Sequence, residues 1–510
     1  MNNSQPNYQL RPIVLLLILT SSFSVFSQKE VRLYDKAEEQ LSDHQYTEAL
    51  EYYQEVQEIS PGFGDVDYKI SICSYLSGAK DDDGLADFQQ FENTYGSTDD
   101  HYYYWLGQIY LRRYSLEEAN KAFEKFQQKV SYTGGADKDE SAEKIAHAQQ
   151  LKAFFDNPDN YSIHQLESPI NSASAELSPV YFEDENELLF ASNRGKSGET
   201  PFVIYYSKSG PNGWEAPVEL ANLGSFGRKN ANIEVVNEDG KLFLFRDDNG
   251  GDLYYSQASG AKWTTPVEFD ARVSNNHIAS HFFINEHEDR IIFASDEGDD
   301  GLDIYESFRD PANGKWSRPS AFYSSINSEF NEDSPYLSPD EQTLYFCSDR
   351  PGGIGGFDVY KSTYNPDDYS WSEPENMGWP INSPNDEFHF KMNADQTSGY
   401  FVSNRLHTKG DYDIYFFWEV EKVKIQGRIF DNQVNGPLTN AEIRFHPSQY
   451  LDEYFVSKID QTGRYSTKII SDEIFKVEIL LDGQVIHEEK FEIHDTSGEP
   501  TTHIKDFAVR

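Results

Sequence analysis

The stretch Ser348-Asp-Arg-Pro-Gly-Gly-Ile-Gly-Gly-Phe-Asp-Val-Tyr360 leaves one apolar run through a polar, glycine-rich turn and enters a second run. Val and Tyr beside such a turn read as the end of one strand and the start of its antiparallel neighbour. Both halves recur along the chain. The first half returns in Leu188-Leu-Phe-Ala-Ser-Asn-Arg194, Ile291-Ile-Phe-Ala-Ser-Asp296, Leu344-Tyr-Phe-Cys-Ser-Asp-Arg350 and Gly399-Tyr-Phe-Val-Ser-Asn-Arg405, with Leu242-Phe-Leu-Phe-Arg-Asp247 as a divergent copy. The second half returns in Ile204-Tyr205, Asp252-Leu-Tyr254, Asp303-Ile-Tyr305, Asp358-Val-Tyr360 and Asp413-Ile-Tyr415.

A further strand precedes each set, as in Ser178-Pro-Val-Tyr-Phe182 and Ser334-Pro-Tyr-Leu337. An outer strand follows, marked by Trp214/Pro217, Trp263/Pro266, Trp316/Pro319 and Trp371/Pro374, at spacings of 49, 53 and 55 residues. Four strands in about fifty residues make the blade of a β-propeller. The copy after Tyr415 lacks its outer strand, but Tyr161 to Glu167 stands unused before the first copy. Pro169-Ile-Asn-Ser172 after it also repeats Pro380-Ile-Asn-Ser383. Residues 161–167 are therefore expected to close the last blade, giving a ring over 158–420 with five blades, or six if a divergent copy escapes the count.

On either side the period changes. Over 28–157 apolar residues recur three and four apart, the helical spacing. Ala37, Tyr46, Ala49, Tyr53 and Pro61, and again Leu106-Gly107, Tyr110, Ala119, Phe123 and Phe126, fit a 34-residue helix-turn-helix repeat of tetratricopeptide type. Tyr68 to Tyr95 reads as a degenerate copy broken at Asp81-Asp-Asp-Gly84, and Asp139 to Phe155 as a capping helix. Over 421–510, alternating strands between Gly, Pro and Asn turns predict a small β-sandwich. The fold class is thus multidomain: an all-α solenoid, an all-β propeller and a sandwich. Residues 1–27, with Arg11, the apolar run Ile13 to Leu19 and Ser27 before Gln28, read as a secretory signal peptide cleaved near Ser27/Gln28.

Eighty-seven Asp and Glu against 43 Lys and Arg leave a net charge of −44, which repels phosphate backbones and disfavours nucleic acid as a partner. Cys73 and Cys347 are the two cysteines, which rules out a disulfide framework and a cysteine zinc site.

The strand-turn-strand signature, most complete in Ser348 to Tyr360, resembles the PD40 (WD40-like, TolB-type) propeller repeat. Gly427, Gly436-Pro437 and Gly463-Arg-Tyr465 resemble a carboxypeptidase-regulatory-like domain. With a leader and helical repeats in front, the order is similar to PorE-type periplasmic proteins of the Bacteroidetes type IX secretion system. It departs from them at the carboxy end, where no OmpA-like segment follows, so peptidoglycan binding is not carried over. The resemblance implies a periplasmic, outer-membrane-associated scaffold whose partners are envelope proteins of secretion or gliding machinery.

The residues themselves offer little chemistry. Gly195-Lys-Ser-Gly198 lacks the spacing of a nucleophile elbow, and no HExxH, Walker or dinucleotide motif is present. His277, His281 and His287 are the nearest thing to a histidine cluster and read as surface residues. Asp296-Glu-Gly-Asp-Asp-Gly-Leu-Asp303 is dense enough for calcium, but the alignment of Asp303 with Asp252, Asp358 and Asp413 favours turn capping. Tyr102-Tyr103-Tyr104 is a ligand platform or, more simply, helix core. The expectation is a non-enzymatic adaptor with no catalytic, cofactor or metal residues, loop calcium being left open. Its rivals are an exported glycan-binding or glycan-processing propeller, which needs aromatics and paired carboxylates on one face, and a calcium-dependent adhesin.

Overall fold

The computed structural model describes residues 28–509 except 43–44, 78–84, 86–87, 97–98, 100, 131–135, 157–158, 183–185, 196–200, 212, 225–232, 237–239, 247–251, 260–261, 271, 274–277, 298–300, 421, 449–454, 472–473, 482 and 494–501. The expected leader, the loop at 81–84 and His277 lie outside the described residues. The chain forms two compact units, Met1–Ser77 and Gly78–Arg510, so a boundary falls inside the helical zone.

In the first unit, helices Gln28–Ser42, Tyr46–Ile59 and Val66–Leu76 follow one another. Ala37, Leu41, Ala49, Tyr53, Val56, Tyr68 and Ile72 are buried at helical spacing and form their common interior. Tyr53 donates its hydroxyl to Glu38, and burial followed by that carboxylate raises the hydroxyl far above its ordinary range.

In the second unit the short helix Glu92–Tyr95 is followed by helices Tyr102–Arg112, Leu116–Val130 and Ala136–Asp156. A Cβ on Gly107 would lie 2.4 Å from the Phe123 ring, so the missing side chain is what lets the helices Tyr102–Arg112 and Leu116–Val130 meet. Tyr102 and Tyr104 are buried here, which makes the tyrosine run part of the helix core.

Between residues 161 and 419 the described strands form five antiparallel sheets. Their inner strands are Glu176–Phe182, Ile233–Val236, Ile278–Ile284, Glu332–Leu337 and Glu387–Met392. Each inner strand lies against the next, and the last lies against the first, which closes a propeller. The fifth sheet has the order 161–165, 413–419, 398–403, 387–392. Its outer strand Tyr161–Gln165 comes from the front of the chain and pairs antiparallel with Asp413–Glu419, from Tyr161↔Glu419 to Gln165↔Tyr415. Ile163 is buried in that sheet's core with Phe390, Phe401 and Phe417.

The glycine-rich turn at 351–356 joins the helices to this ring. Ile354, fully buried, and Trp379 belong to one apolar cluster with Tyr104, Phe126 and Leu151 of the helices. Gln150 donates to Gly352 O at 2.7 Å, and His147 Nε2 lies 3.3 Å from Gly353 O.

Residues 422–509 form two further sheets with a common apolar interior that includes Ile425, Ile443, Phe445, Phe475 and Val477. Strand Lys422–Asp431 is flanked on one side by Arg464–Ile470 and is also paired in parallel by Thr502–Ile504 and Phe507–Val509.

A Cβ on Gly355 would sit 2.0 Å from Asn385 O and 2.2 Å from Ser383 O, both backbone atoms. Gly355→Ala should therefore lower unfolding stability by about 1–3 kcal/mol through overpacking. Gly210→Ala, where the nearest atom would be 3.9 Å away, should be close to neutral. Urea denaturation of the two variants side by side checks this.

Candidate functional site at the propeller axis

Three blades share one buried device. Glu387, fully buried, accepts the Ser383 backbone N–H at 2.8 Å, the Ser383 hydroxyl at 2.6 Å, the Ser403 hydroxyl at 2.7 Å and the Arg405 guanidinium at 3.1 Å. Arg405 in turn donates to Pro380 O at 2.9 Å and Ile381 O at 2.6 Å and lies over the Phe401 and Tyr415 rings. Glu332 with Ser328, Ser348 and Arg350, and Glu176 with Ser172, Ser192 and Arg194, repeat the arrangement. The Ser-Asp/Asn-Arg strand end is thus half of a buried ion pair that holds the strand-linking loop, and these carboxylates are already fully engaged. Sequence reading found the Ser and the Arg. It missed the glutamate because that residue lies 16 positions before the strand-end Ser, on another strand.

The repeated aspartate caps its turn in the two blades where the bonds are seen. Asp358 accepts the N–H groups of Ile354 and, at 3.0 Å, Gly355, together with the Asn376 amide at 2.8 Å. Asp413 accepts the Lys409 N–H at 2.7 Å and the Gln165 side chain. Burial pushes Asp358 up to about 8, assisted by nearby Glu387, and burial pushes Asp413 up to about 6.

Two residues beyond each buried glutamate the inner strand is interrupted. Ser178, Ser334 and His389 have φ of 50°, 49° and 52°, and the pairing register shifts beside each one. The third sheet has its own shift between Ile278 and Phe282. Such bulges turn side chains away from the normal alternation, and here they bring polar groups from four blades together. Ser178 Oγ lies 3.1 Å from His389 Nδ1, and His281 Nδ1 lies 2.7 Å from Asp333 Oδ1. The two imidazoles meet edge to face with centroids 4.6 Å apart. They come from the third and fifth sheets, which are not ring neighbours, so the contact spans the axis. Lys391 makes a similar crossing from the fifth sheet, donating to Ile233 O of the second at 3.3 Å. Burial, with His281 and Lys391 adding to it, holds His389 well below the usual imidazole range and therefore neutral.

Three aromatic side chains that pack against the sheet cores adjoin this layer. Phe388 stacks on the His281 ring at 6.1 Å and lies 4.8 Å from Phe357 and 6.1 Å from Tyr412. All three aromatics are half-buried. Asp386 accepts the Tyr412 hydroxyl at 3.4 Å, the Phe357 N–H at 3.0 Å and the Asn404 amide at 3.1 Å. Burial and the carboxylates of Asp386 and Asp411 push the Tyr412 hydroxyl well up, against Arg112 of the helical layer, which acts the other way. Half-buried aromatic faces beside a carboxylate and a His–Asp pair suit a hydroxylated ligand: ring faces for C–H groups, polar edges for hydroxyls.

His281 is therefore an axial residue, not the surface residue expected, while His287 lies in a loop apart from it. His389, Asp333 and Ser178 were missed because their meeting depends on bulges and on ring geometry. Among the described residues no group of three or more His, Cys, Asp and Glu is placed to hold a metal ion. No described helix is long and apolar enough to cross a membrane.

No family model matches the chain, and no curated relative matches it. Solved structures do. A putative TolB from Agrobacterium tumefaciens is 13% identical, with a TM-score of 0.31 over 61% of this chain and 98% of its own. An endo-arabinase from Bacteroides thetaiotaomicron is 14% identical, with a TM-score of 0.33 over 51% and 98%. A sucrose-6-phosphate hydrolase from Lactobacillus gasseri is 12% identical, with a TM-score of 0.37 over 68% and 91%. The expectation of a protein without enzymatic activity is corrected by these neighbours. Two of the three are named as enzymes, an endo-arabinase and a sucrose-6-phosphate hydrolase.

Two predictions follow from the buried charges. Glu387→Ala strands the Arg405 guanidinium in the interior and should cost about 3–5 kcal/mol, read as a drop in the urea midpoint. An aspartate with a folded value near 8 and an unfolded value of about 3.9 binds its proton more tightly when folded. Its contribution is complete below pH 4 and is lost as pH rises to 8. The native protein should therefore lose Tm between pH 5 and 8, and replacing Asp358 and Asp413 by Asn should flatten that decline.

Proposed function

We propose that the chain is an exported carbohydrate-directed protein whose five-bladed ring binds or processes a glycan at the axial mouth. One observation carries this reading: the half-buried Phe357, Phe388 and Tyr412 stand beside Asp386 and the His281–Asp333 pair at the meeting point of the inner strands. In this reading the helices over 102–156 border the mouth through Ile354 and Trp379, and the carboxypeptidase-regulatory-like sandwich is an accessory module. Location in the periplasm at the outer membrane, with envelope proteins as neighbours, completes the proposal.

The test measures both binding and turnover. Purified protein is titrated with a panel of neutral polysaccharides that includes arabinan, the polymer suggested by the name of one structural neighbour, and release of reducing ends is followed in parallel. A bound or cleaved member is expected, with Phe388→Ala and Asp386→Asn each lowering affinity or rate at least tenfold at a temperature where circular dichroism shows both variants folded. A panel that is neither bound nor cleaved would sink the reading.

A further inference from the structure

On the outward face of the sheet built around Lys422–Asp431, two like-charged pairs stand directly opposite one another. The register places Lys424 against Lys468 and Arg428 against Arg464, with Gln426 against Ser466 between them. All four cations are exposed. Among the described residues none of them forms an ion pair, although the chain carries 87 carboxylate side chains. Like charges facing each other across a ladder are destabilising. A chain of net charge −44 had ample acids with which to neutralise them.

Two acids stand beside the Arg428–Arg464 pair, bonded to backbone N–H groups while keeping their charge, and Arg464 is among the groups that hold Asp460 below the usual carboxylate range. Asp506 accepts the Arg428 backbone N–H at 2.7 Å, and Asp460 accepts the Arg464 backbone N–H at 2.9 Å. The neighbouring strand adds exposed Thr502 beside Lys424 and Ile504, 76% exposed, beside Gln426.

We propose that this face is a docking surface for a narrow anionic polysaccharide, a second site that does not depend on the axial reading. Each cross-strand pair, with Cα atoms about 5 Å apart, can clamp one carboxylate or sulfate. The two clamps lie four residues apart, roughly 13 Å along the strands. Amide and hydroxyl groups fill the gap between them and match a hydroxylated backbone. A single-stranded nucleic acid would call for stacking aromatics there, and among the described residues the face offers Phe430 at its end. An anionic bilayer is a poorer fit for a reason of shape. Charges act over a Debye length of about 8 Å, so a plane would meet the acids of a chain of net charge −44 on every side, whereas a thread can follow the row of cations along the strands.

The full-length protein is titrated with polygalacturonate, with neutral dextran, with a single-stranded DNA oligonucleotide and with vesicles containing one-third anionic phospholipid. Polygalacturonate should bind, dextran should not bind at this face, and affinity should fall at least tenfold between 50 and 300 mM salt. Lys468→Glu with Arg464→Glu should abolish binding, and Lys468→Glu alone, which exchanges a cross-strand repulsion for an attraction, should weaken it at least tenfold while leaving Tm unchanged or higher. Phe388→Ala should leave polygalacturonate binding intact, which separates this site from the axial one. Undiminished binding in the charge-reversed variant overturns the proposal, as does tighter binding of the DNA or the vesicles through the same four residues.

Discussion

Everything in the ring depends on one antiparallel pairing. Tyr161–Gln165 completes the sheet whose other strands end at residue 419, so front and back of the domain are held by the same ladder. Without it the fifth sheet would lose its outer strand and the tie between the two ends of the domain, leaving the closure to apolar packing between the first and fifth sheets, such as that of Leu188 and Phe190 with Tyr400 and Val402. With it, neighbouring inner strands are held near enough for side chains of non-adjacent blades to touch. The His281–His389 contact and the Lys391 crossing are possible only because the circle is small and closed.

Within that constraint the chain divides its polar residues into two classes. The Glu–Ser–Arg clamps and the Asp turn caps spend their charges on backbone and on one another, and they lie where strand meets loop. Ser178, His281, Asp333 and His389 lie just inside, on segments turned out of register. A rigid frame of hydrogen-bonded polar groups supports a smaller set of groups at the centre. The helical layer reaches the same face through Ile354 and Trp379, so what borders the axis is fixed from two sides.

Much of this was legible in the sequence, for identifiable reasons. The repeats gave the strand order and the closing segment because each blade re-uses the same spacing of apolar and turn residues. The expected closing strand, 161–167, is two residues longer than the one observed. Asp358 and Asp413 were placed correctly as turn caps because they align. The axial groups were not legible, since they occupy aligned positions with different residue types: serine in two blades and histidine in another. Nor did the pattern show that the glycine turn inserts Ile354 among helices, because an isoleucine between glycines looks the same whether exposed or buried. The parallel addition of Thr502–Ile504 and Phe507–Val509 escaped as well, as short strands carry almost no periodicity.

Those last two strands have a practical consequence. They lie along Lys422–Asp431, and Phe507 and Val509 are buried in the terminal domain's interior. A molecule clipped by a protease before residue 502 would keep its ring and helices but uncover a row of backbone donors and an apolar hole in the same stroke. Damage at this end would thus announce itself as stickiness, and housekeeping proteases and chaperones could sort such molecules from whole ones without inspecting any active surface.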